Sequence, residues 1–168
     1  MPRKSISDKK FLFQLRREEL GLSREKAAIL LNITPERLER IETGKSRPSA
    51  EDIKVMAEKY NYPLLRNDYC ANICDVGKGH FSSLRIEELS QIVLSLLASL
   101  NTMEQEKNRF IEITVDGQIS DDELDDFVKI QKKLKTIATT VDTLQLWIDN
   151  MCSNGTIDIE KYHEKLNQ

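Results

Sequence analysis

The sequence is poor in the residues from which catalytic and metal centres are most often built. It contains three cysteines, two histidines and six glycines. An odd and small number of cysteines argues against a disulfide framework and is typical of a reducing compartment. Because the chain also lacks a Ser/His/Asp set and a phosphate-binding loop, we expect no enzymatic activity and no cofactor.

Long apolar runs are also missing. The longest fall far short of the roughly 18 residues that a membrane span requires. Residues 1–5 carry positive charge, but no apolar stretch of the kind found in secretory signals follows them. With 39% hydrophobic and 32% charged residues, the composition predicts a folded protein. We therefore expect a cytoplasmic protein that does not enter a membrane.

The net charge of -3 conceals a division along the chain. Residues 1–66 contain 15 Lys and Arg against 10 Asp and Glu, whereas residues 67–168 contain 10 against 18. The first part therefore carries a net charge of +5 and the second a net charge of -8. A basic region joined to an acidic one is typical of a polyanion-binding domain attached to a separate module.

Short helices with clear start and stop signals are predicted along the first 75 residues. Apolar residues at helical spacing predict a first helix that ends at Gly21. The next three helices each follow a residue with a capping side-chain oxygen, namely Ser23, Thr34 and Ser49. Asp52 completes a capping box in the fourth helix, and Asn32 suits the left-handed turn after the second. A fifth, shorter helix is predicted to extend to about Cys74.

Two long amphipathic helices are predicted in the second part of the chain. Their mutual seam follows alternating steps of three and four, which is the coiled-coil pattern. The predicted seam positions are Ile86, Leu89, Val93, Leu96, Leu100, Met103, Lys107 and Phe110 on the first helix, and Phe127, Ile130, Leu134, Ile137, Val141, Leu144, Ile148 and Met151 on the second. Asp116-Gly117 separates the helices, and Ser120 with Glu123 predicts a capping box. The fold class is therefore all-α, with a long antiparallel hairpin.

Glycines at 77 and 79 mark residues 76–83 as a linker. We therefore predict domains over residues 1–75 and 84–168. Apolar side chains lie outside the predicted seam, namely Ile92, Leu94, Leu97, Leu146 and Trp147, and leaving each exposed costs roughly 1.5 to 3 kcal/mol. This favours a homodimer through residues 84–152, in which two hairpins form a four-helix bundle. Packing against the N-terminal domain is the alternative.

Residues 22–44 have the order of a helix-turn-helix, in which the third helix of the chain enters a DNA groove. Glu36, Arg37 and Arg40 lie on the outward side of that helix, opposite its apolar positions. Arginine can donate two hydrogen bonds to guanine, and a glutamate can accept one from cytosine. These three residues are therefore predicted to contact bases. The alternative is a solvated helix face stabilised by pairs such as Glu36 with Arg40.

The stretch from Leu22 through Ser49 resembles the phage-repressor and Cro-like family, also called XRE. The most specific part is Ile41-Glu42-Thr43-Gly44-Lys45, followed by Arg47-Pro48-Ser49. The resemblance covers about residues 9–66. It implies a five-helix lambda-repressor-like domain, double-stranded DNA as the partner and a sequence-specific transcriptional regulator of the repressor type.

The resemblance also implies roles for individual residues. It implies DNA phosphate contacts for residues at the start of the second helix and after the third, namely Ser23, Arg24, Thr43, Lys45 and Arg47. It implies a structural ion pair between Arg17 and Glu42. The sequence departs from the family at Pro35, which replaces a polar side chain, and at Glu36 and Glu39, whose charges oppose phosphate. An adaptor with a degenerate domain, and with a protein partner on the hairpin, is therefore the alternative function.

Two weaker patterns suggest metal sites. Cys70, Cys74 and His80 lack the spacing of common zinc sites, so Cys70, Cys74 and Cys152 are interpreted as free thiols. Residues 116–123 resemble half of a calcium-binding loop, but Glu112 and Thr114 stand at its first and third ligand positions. We therefore predict no metal at either place, and a turn followed by a capped helix at the second.

Overall fold

A computed structural model describes residues 10–168, and all of its regular elements are helical, as predicted. The elements are α1 (Leu12–Glu19), α2 (Arg24–Leu31), α3 (Pro35–Glu42), α4 (Ala50–Lys59), α5 (Leu64–Asp68), a π-helical turn (Tyr69–Ile73), α6 (Leu89–Thr114), α7 (Leu124–Ser153) and α8 (Ile159–Leu166). Residues 1–5, where a secretory signal was considered, lie outside the described residues. No described helix combines the length and apolar character needed to cross a membrane.

The described residues divide into two compact units. One consists of residues 10–83 with Asp149–Gln168, and the other of Leu84–Ile148. The domain boundaries predicted from the sequence, at residues 75 and 84, remain a prediction.

The predicted start and stop signals of the first unit are confirmed. Ser23 Oγ accepts a hydrogen bond from Lys26 N, and Thr34 Oγ1 accepts one from Arg37 N, both at 3.2 Å. These bonds satisfy backbone donors that have no partner within the first turn of a helix. Asn32 has φ 55° and ψ 43°, so it makes the left-handed turn between α2 and α3.

One apolar core holds the short helices of this unit together. Its buried members come from the five helices α1 to α5 and the cap of α4, namely Phe13, Ala27, Ala28, Leu31, Leu38, Ile41, Ile53, Met56, Ala57, Tyr60 and Leu65. Isolated helices of eight to ten residues are unstable in water, so tertiary packing must supply most of their stability. The two alanines allow α2 to lie close to its neighbours, and this closeness sets the position of α3.

Residues 76–83, predicted as a linker, begin with a tightly packed turn. Gly77 N and Lys78 N both donate hydrogen bonds to the Cys74 carbonyl, at 3.1 and 3.0 Å. Gly77 is buried, and a Cβ atom added to it would collide with the Cys70 carbonyl oxygen. Glycine is required here because of this close backbone approach, although its φ angle is not positive.

The three cysteines are free and partly buried. Burial raises the pKa of the Cys70 thiol, and the neighbouring Cys74 thiol adds to the shift. A raised pKa disfavours the thiolate, which is the form that binds metals and reacts. Among residues 10–168, no group of three or more His, Cys, Asp or Glu side chains is placed to hold a metal ion.

Helices α6 and α7 form the predicted antiparallel hairpin. Arg109 Nε of α6 donates to Asp126 Oδ2 of α7 at 2.9 Å, and Lys133 Nζ of α7 pairs with Glu106 Oε1 of α6 at 2.5 Å. The partner of the later residue on α6 is the earlier residue on α7, which fixes the antiparallel register. Before α7, Glu123 Oε2 accepts hydrogen bonds from Ser120 N and Ser120 Oγ. The predicted capping box is therefore only half formed, since Ser120 Oγ donates to Glu123 instead of accepting from its backbone.

The hairpin seam agrees with the predicted one at some positions and differs at others. The shared positions are Leu96, Met103, Phe110, Phe127, Ile130, Ile137 and Leu144. One set of buried or half-buried positions follows steps of three and four, but it includes polar residues; it consists of Ile92, Leu96, Ser99, Met103, Glu106, Phe110 and Ile113 on α6, and Phe127, Ile130, Lys133, Ile137, Thr140 and Leu144 on α7. Thr143 is buried as well, and Thr102, Arg109, Val128 and Thr139 are half-buried, but all five lie outside this set. Ile92 and Leu146 were placed outside the seam, yet both are buried. Leu94 and Leu97 are exposed, as expected.

Because several predicted seam residues are exposed, the hairpin has an apolar face on one side. We call it the hairpin apolar face and define it by Val93, Leu97, Leu100, Leu134 and Val141, whose exposed fractions lie between 40 and 53%. On both helices these residues directly follow seam positions. Since α6 and α7 run in opposite directions, a step of one residue from the seam turns both helices toward the same side.

The opposite side of the hairpin is polar. Residues that directly precede seam positions there include Gln91, Ser95, Thr102 and Gln105 on α6, and Lys129, Lys132 and Thr136 on α7. The hairpin is therefore amphipathic as a unit, and its apolar side is the one that gains by burial.

Candidate nucleic-acid interface

Helix α3 presents its charged residues on one side and its apolar residues on the other. Thr34 caps the helix and Pro35 occupies its first turn, where a missing backbone N–H does no harm. Leu38 and Ile41 are buried in the core of the first unit. Glu36 and Arg40 are consequently exposed on the outward side, as is Glu39. This arrangement leaves a helix face that can approach a partner.

Arg40 is the outward cation of α3 that lacks a charged partner. Within residues 10–168 its guanidinium takes part in no ion pair, and Glu36 likewise has no ion-pair partner. The considered pair between Glu36 and Arg40 is therefore not formed. All five N–H donors of the Arg40 guanidinium remain available to an acceptor.

Arg37 also lies on the exposed side of α3, but it has an acidic partner. Its Nη2 atom donates to Asp52 Oδ1 at 3.0 Å and to Asp52 Oδ2 at 2.8 Å. Burial acts to raise the pKa of Asp52, but hydrogen bonds from Ser49 and Arg37 outweigh it, and the pKa is lowered. Asp52 is therefore an anion at neutral pH, and it ties α3 to the first turn of α4.

Arg17 and Glu42 form the ion pair that the resemblance implies. Arg17 Nε lies 2.5 Å from Glu42 Oε1, and Arg17 Nη2 lies 3.1 Å from Glu42 Oε2, so the pair is bidentate. Hydrogen bonding to Glu42 raises the pKa of Arg17, although burial opposes it. Arg17 Nη1 also donates to the Leu22 carbonyl at 2.5 Å, so one guanidinium connects α1, α3 and the residue before the cap of α2.

Arg24 joins the same carboxylate. Its Nε atom donates to Glu42 Oε2 at 2.7 Å, and its side chain is 38% exposed while that of Glu42 is 1% exposed. Two arginines, Arg17 and Arg24, therefore share one buried carboxylate. The Nη1 and Nη2 atoms of Arg24 form no hydrogen bond among the described residues.

The loop after α3 contains the remaining predicted phosphate contacts. The Thr43 hydroxyl donates to the Glu39 carbonyl at 2.7 Å, so as a donor it is engaged within the helix. Lys45 is exposed, and no ion pair involves it in the described part of the chain. Arg47 Nη1 lies 2.5 Å from Asp75 Oδ2, with side chains that are 68 and 72% exposed. A pair this exposed is screened by water and salt and contributes little to stability.

Two acidic partners of this surface were missed by the sequence reasoning. Asp52 was recognised as part of a capping box but not as the partner of Arg37, which is 15 residues away. Asp75 was not assigned a role, and its partner Arg47 is 28 residues away. Spacing along the chain indicates neighbours on one helix only, so neither partner produces a sequence signal.

Comparison with known protein families gives a match for part of the first unit. Residues 13–66 match the model of the Helix-turn-helix family. These residues form a helix-turn-helix domain. The match confirms the resemblance and supports a DNA-binding regulator, and it extends from α1 into α5, so it includes α2, α3 and the loop after them. No curated protein and no solved structure matches the chain significantly.

Proposed function

We propose that this protein is a sequence-specific, XRE-type regulator of transcription that reads the DNA major groove with α3. The observation that carries the proposal is the geometry of that helix: Arg37 and Arg40 are exposed on its outward side, and Leu38 and Ile41 are buried beneath them. An α-helix fits the major groove, and arginine is the side chain that most often contacts guanine there.

The residues divide into two kinds of contact. Glu36, Arg37 and Arg40 contact base edges. The residues that surround α3 contact phosphates and position the domain; they are Ser23, Arg24, Thr43, Lys45 and Arg47. Arg40 and Lys45 are the cations of this set that no ion pair neutralises in the described chain, so we assign them the largest shares of base discrimination and of salt-sensitive affinity, respectively.

The proposal includes a homodimer formed through residues 84–152, acting in the cytoplasm as a repressor. The hairpin apolar face supports a second copy of the chain as the partner. It carries no charge at any of its five defining positions, and a face that pairs with itself around a two-fold axis needs only its own chemistry. A dimer also doubles the DNA contacts, which compensates for the acidic Glu36 and Glu39 on α3.

Selection of bound duplexes from a random pool, followed by titrations at several salt concentrations, tests the DNA-binding part. We expect affinity to fall steeply with salt and one sequence to be enriched. Arg40→Ala should lower discrimination at one base pair by about 1 to 3 kcal/mol. Lys45→Ala should weaken all duplexes alike and lower the salt slope by about one.

Arg66→Ala provides a matched control. Arg66 lies in α5, is exposed and pairs with Glu58 at 3.2 Å, so it has the same chemistry as Arg40 but lies outside the assigned surface. Its substitution should leave sequence preference unchanged. Binding to a protein partner in the absence of any salt-sensitive DNA affinity would contradict the proposal and favour the adaptor.

A further inference from the structure

The carboxylate of Asp52 is held in place from several directions. Its Oδ2 atom accepts hydrogen bonds from Ser49 N and from Ser49 Oγ, both at 2.8 Å. Both of its oxygens accept from Arg37 Nη2, at 3.0 and 2.8 Å. The Asp52 backbone is fixed as well, since its N–H donates to Ser49 Oγ at 3.1 Å. The Asp52 side chain is only 10% exposed.

Arg37 is held at one end and exposed at the other. Its backbone is fixed in the first turn of α3, where Arg37 N donates to Thr34 Oγ1. Its side chain is 53% exposed, and only Nη2 is engaged with Asp52. Nε and Nη1 form no hydrogen bond within residues 10–168. A flexible arginine loses conformational freedom when it binds, so a guanidinium that is already oriented loses less.

We propose that Asp52 is a positioning residue for base recognition: it holds the guanidinium of Arg37 by one nitrogen and directs the remaining donors toward the DNA. This inference rests on the proposed function, because it assigns a role within the reading of bases by α3. Arg37 is then a specificity-determining residue whose selectivity depends on a carboxylate from the next helix.

The charge of Asp52 acts in the same direction. A carboxylate beside an arginine offsets the attraction of that arginine for phosphates, which is the sequence-independent part of binding. The hydrogen bonds that the oriented guanidinium donates to a base edge are kept. Asp52 therefore lowers affinity for all duplexes and raises the difference between the right base pair and the wrong ones.

The hydrogen bonds from Ser49 to Asp52 distinguish the pair of Arg37 and Asp52 from the pair of Arg47 and Asp75. Asp75 is mostly exposed, and within the described residues its carboxylate pairs with Arg47. Asp75 can therefore move away when DNA binds. Asp52, by contrast, accepts two hydrogen bonds from Ser49 that do not involve Arg37. It therefore stays in place as a support.

Asp52→Asn in the full-length chain tests the role, and Glu51→Gln is its matched control. Both variants remove one negative charge from the first turn of α4, and the amide oxygen of the introduced asparagine can still accept a hydrogen bond from Ser49 N. Glu51 is exposed, and its ion-pair partner is Lys54, at 3.8 Å. Thermal unfolding of both variants checks that the domain remains folded.

The measurement is the discrimination between the selected duplex and its single-base-pair variants, for the wild type, Arg37→Ala, Asp52→Asn and the double variant. Arg37→Ala should lower discrimination at one base pair about tenfold. Asp52→Asn should lower it about threefold at that same base pair, while affinity for random duplex stays the same or rises. In the Arg37→Ala background, Asp52→Asn should have no further effect on discrimination.

Glu51→Gln should raise affinity for all duplexes alike and leave discrimination unchanged. Equal effects of Asp52→Asn and Glu51→Gln, or an undiminished effect of Asp52→Asn without Arg37, would overturn the positioning role while the DNA-binding function stands. A wild-type protein without salt-sensitive binding to any duplex would overturn the proposed function and this inference with it.

Discussion

Helices α2, α3 and α4 are eight to ten residues long and each begins at a side-chain cap, whereas α6 and α7 run for 26 and 30 residues. The short helices share an apolar core of 11 buried residues. In Leu84–Ile148, by contrast, the buried apolar residues are Ile92, Ile113, Ile130 and Leu146. The first region therefore carries its own core, and the hairpin depends more on whatever covers its apolar face.

The largest expected effect comes from charging the hairpin apolar face. Leu97→Asp combined with Leu100→Asp removes two leucines from each chain and therefore four from the proposed dimer interface. Leu97 and Leu100 are 53 and 47% exposed in the single chain, so further burial of each is worth about half of the usual 1.5 to 3 kcal/mol, or about 0.8 to 1.5 kcal/mol. The double variant should therefore weaken dimerisation by about 3 to 6 kcal/mol. Sedimentation equilibrium of the full-length chain measures the change.

Ser95→Asp is the control for that experiment. Ser95 is exposed on the polar side of the same helix, so a charge there should leave the dimer intact. A wild-type chain that sediments as a monomer, or a double variant that remains dimeric, would show that this face is not the interface.

Loss of the buried carboxylate should affect mainly the first region. Glu42→Gln removes the carboxylate that lies closest to the buried Arg17 and leaves only the more distant Glu18, at 3.7 Å. Breaking a buried ion pair in this way costs about 3 to 5 kcal/mol. Urea unfolding followed by circular dichroism should show this loss. Fluorescence of the single tryptophan, Trp147, reports on the hairpin and should shift less.

Glu39→Gln controls for the change of charge in α3. Glu39 is exposed, so we expect its substitution to change stability by no more than about 0.5 kcal/mol. If Glu42→Gln and Glu39→Gln were equally stable, the contribution assigned to the buried pair would be wrong.

Alkaline pH should destabilise the first region through Tyr60. Burial raises the pKa of Tyr60 to about 12, and the nearby Glu42 adds to the shift. Tyr60 stays neutral in the folded chain while it ionises near pH 10 in the unfolded chain, so stability is lost as pH rises from 10 to 12. The loss attributable to this residue is about 2 to 3 kcal/mol.

Tyr60→Phe isolates this contribution. The Tyr60 hydroxyl has no hydrogen-bond partner in the described residues, so its removal should change stability at neutral pH by less than about 1 kcal/mol. Unfolding free energies of both proteins should be compared between pH 9 and about 12. Parallel pH profiles would argue against the raised pKa.

The smallest expected effect concerns the turn between α2 and α3. Asn32 has a positive φ angle, which asparagine tolerates better than alanine and glycine tolerates best. Asn32→Ala should therefore cost about 1 kcal/mol, and Asn32→Gly should be as stable as the wild type or slightly more stable. Thermal unfolding of the pair measures the difference, and a stable alanine variant would contradict it.

The boundaries of the short helices were predictable because their signals are local. Ser23, Thr34 and Ser49 each satisfy a backbone donor three residues away, and a sequence displays that spacing directly. The left-handed turn at Asn32 is local in the same sense. The all-helical fold and the antiparallel hairpin followed from such signals together with apolar periodicity.

The phase of the hairpin seam was not predictable from apolar periodicity alone. That pattern assigned Leu100, Leu134 and Val141 to the seam. In the structure the preceding polar residues, Ser99, Lys133 and Thr140, occupy the seam instead. Glu106 and Lys133 can occupy seam positions because each neutralises the other across the hairpin. A rule that counts only apolar residues gives such a pair no weight.

The acidic partners of the candidate interface were unpredictable for a related reason. The bond between Arg37 and Asp52 depends on how closely α3 and α4 approach, which is a property of the packed core. The residue types that suit DNA were visible in the sequence. The structure was needed to show which of these cationic residues have acidic partners.

The close packing at Gly77 restricts which residues can occupy this position during evolution. Any side chain at this position collides with the Cys70 carbonyl, which is backbone and cannot be removed by a compensating mutation elsewhere. The neighbouring surface positions Val76 and Lys78 are exposed and can vary freely. In homologous proteins that keep the π-helical turn, we expect glycine to be invariant at position 77 while positions 76 and 78 vary.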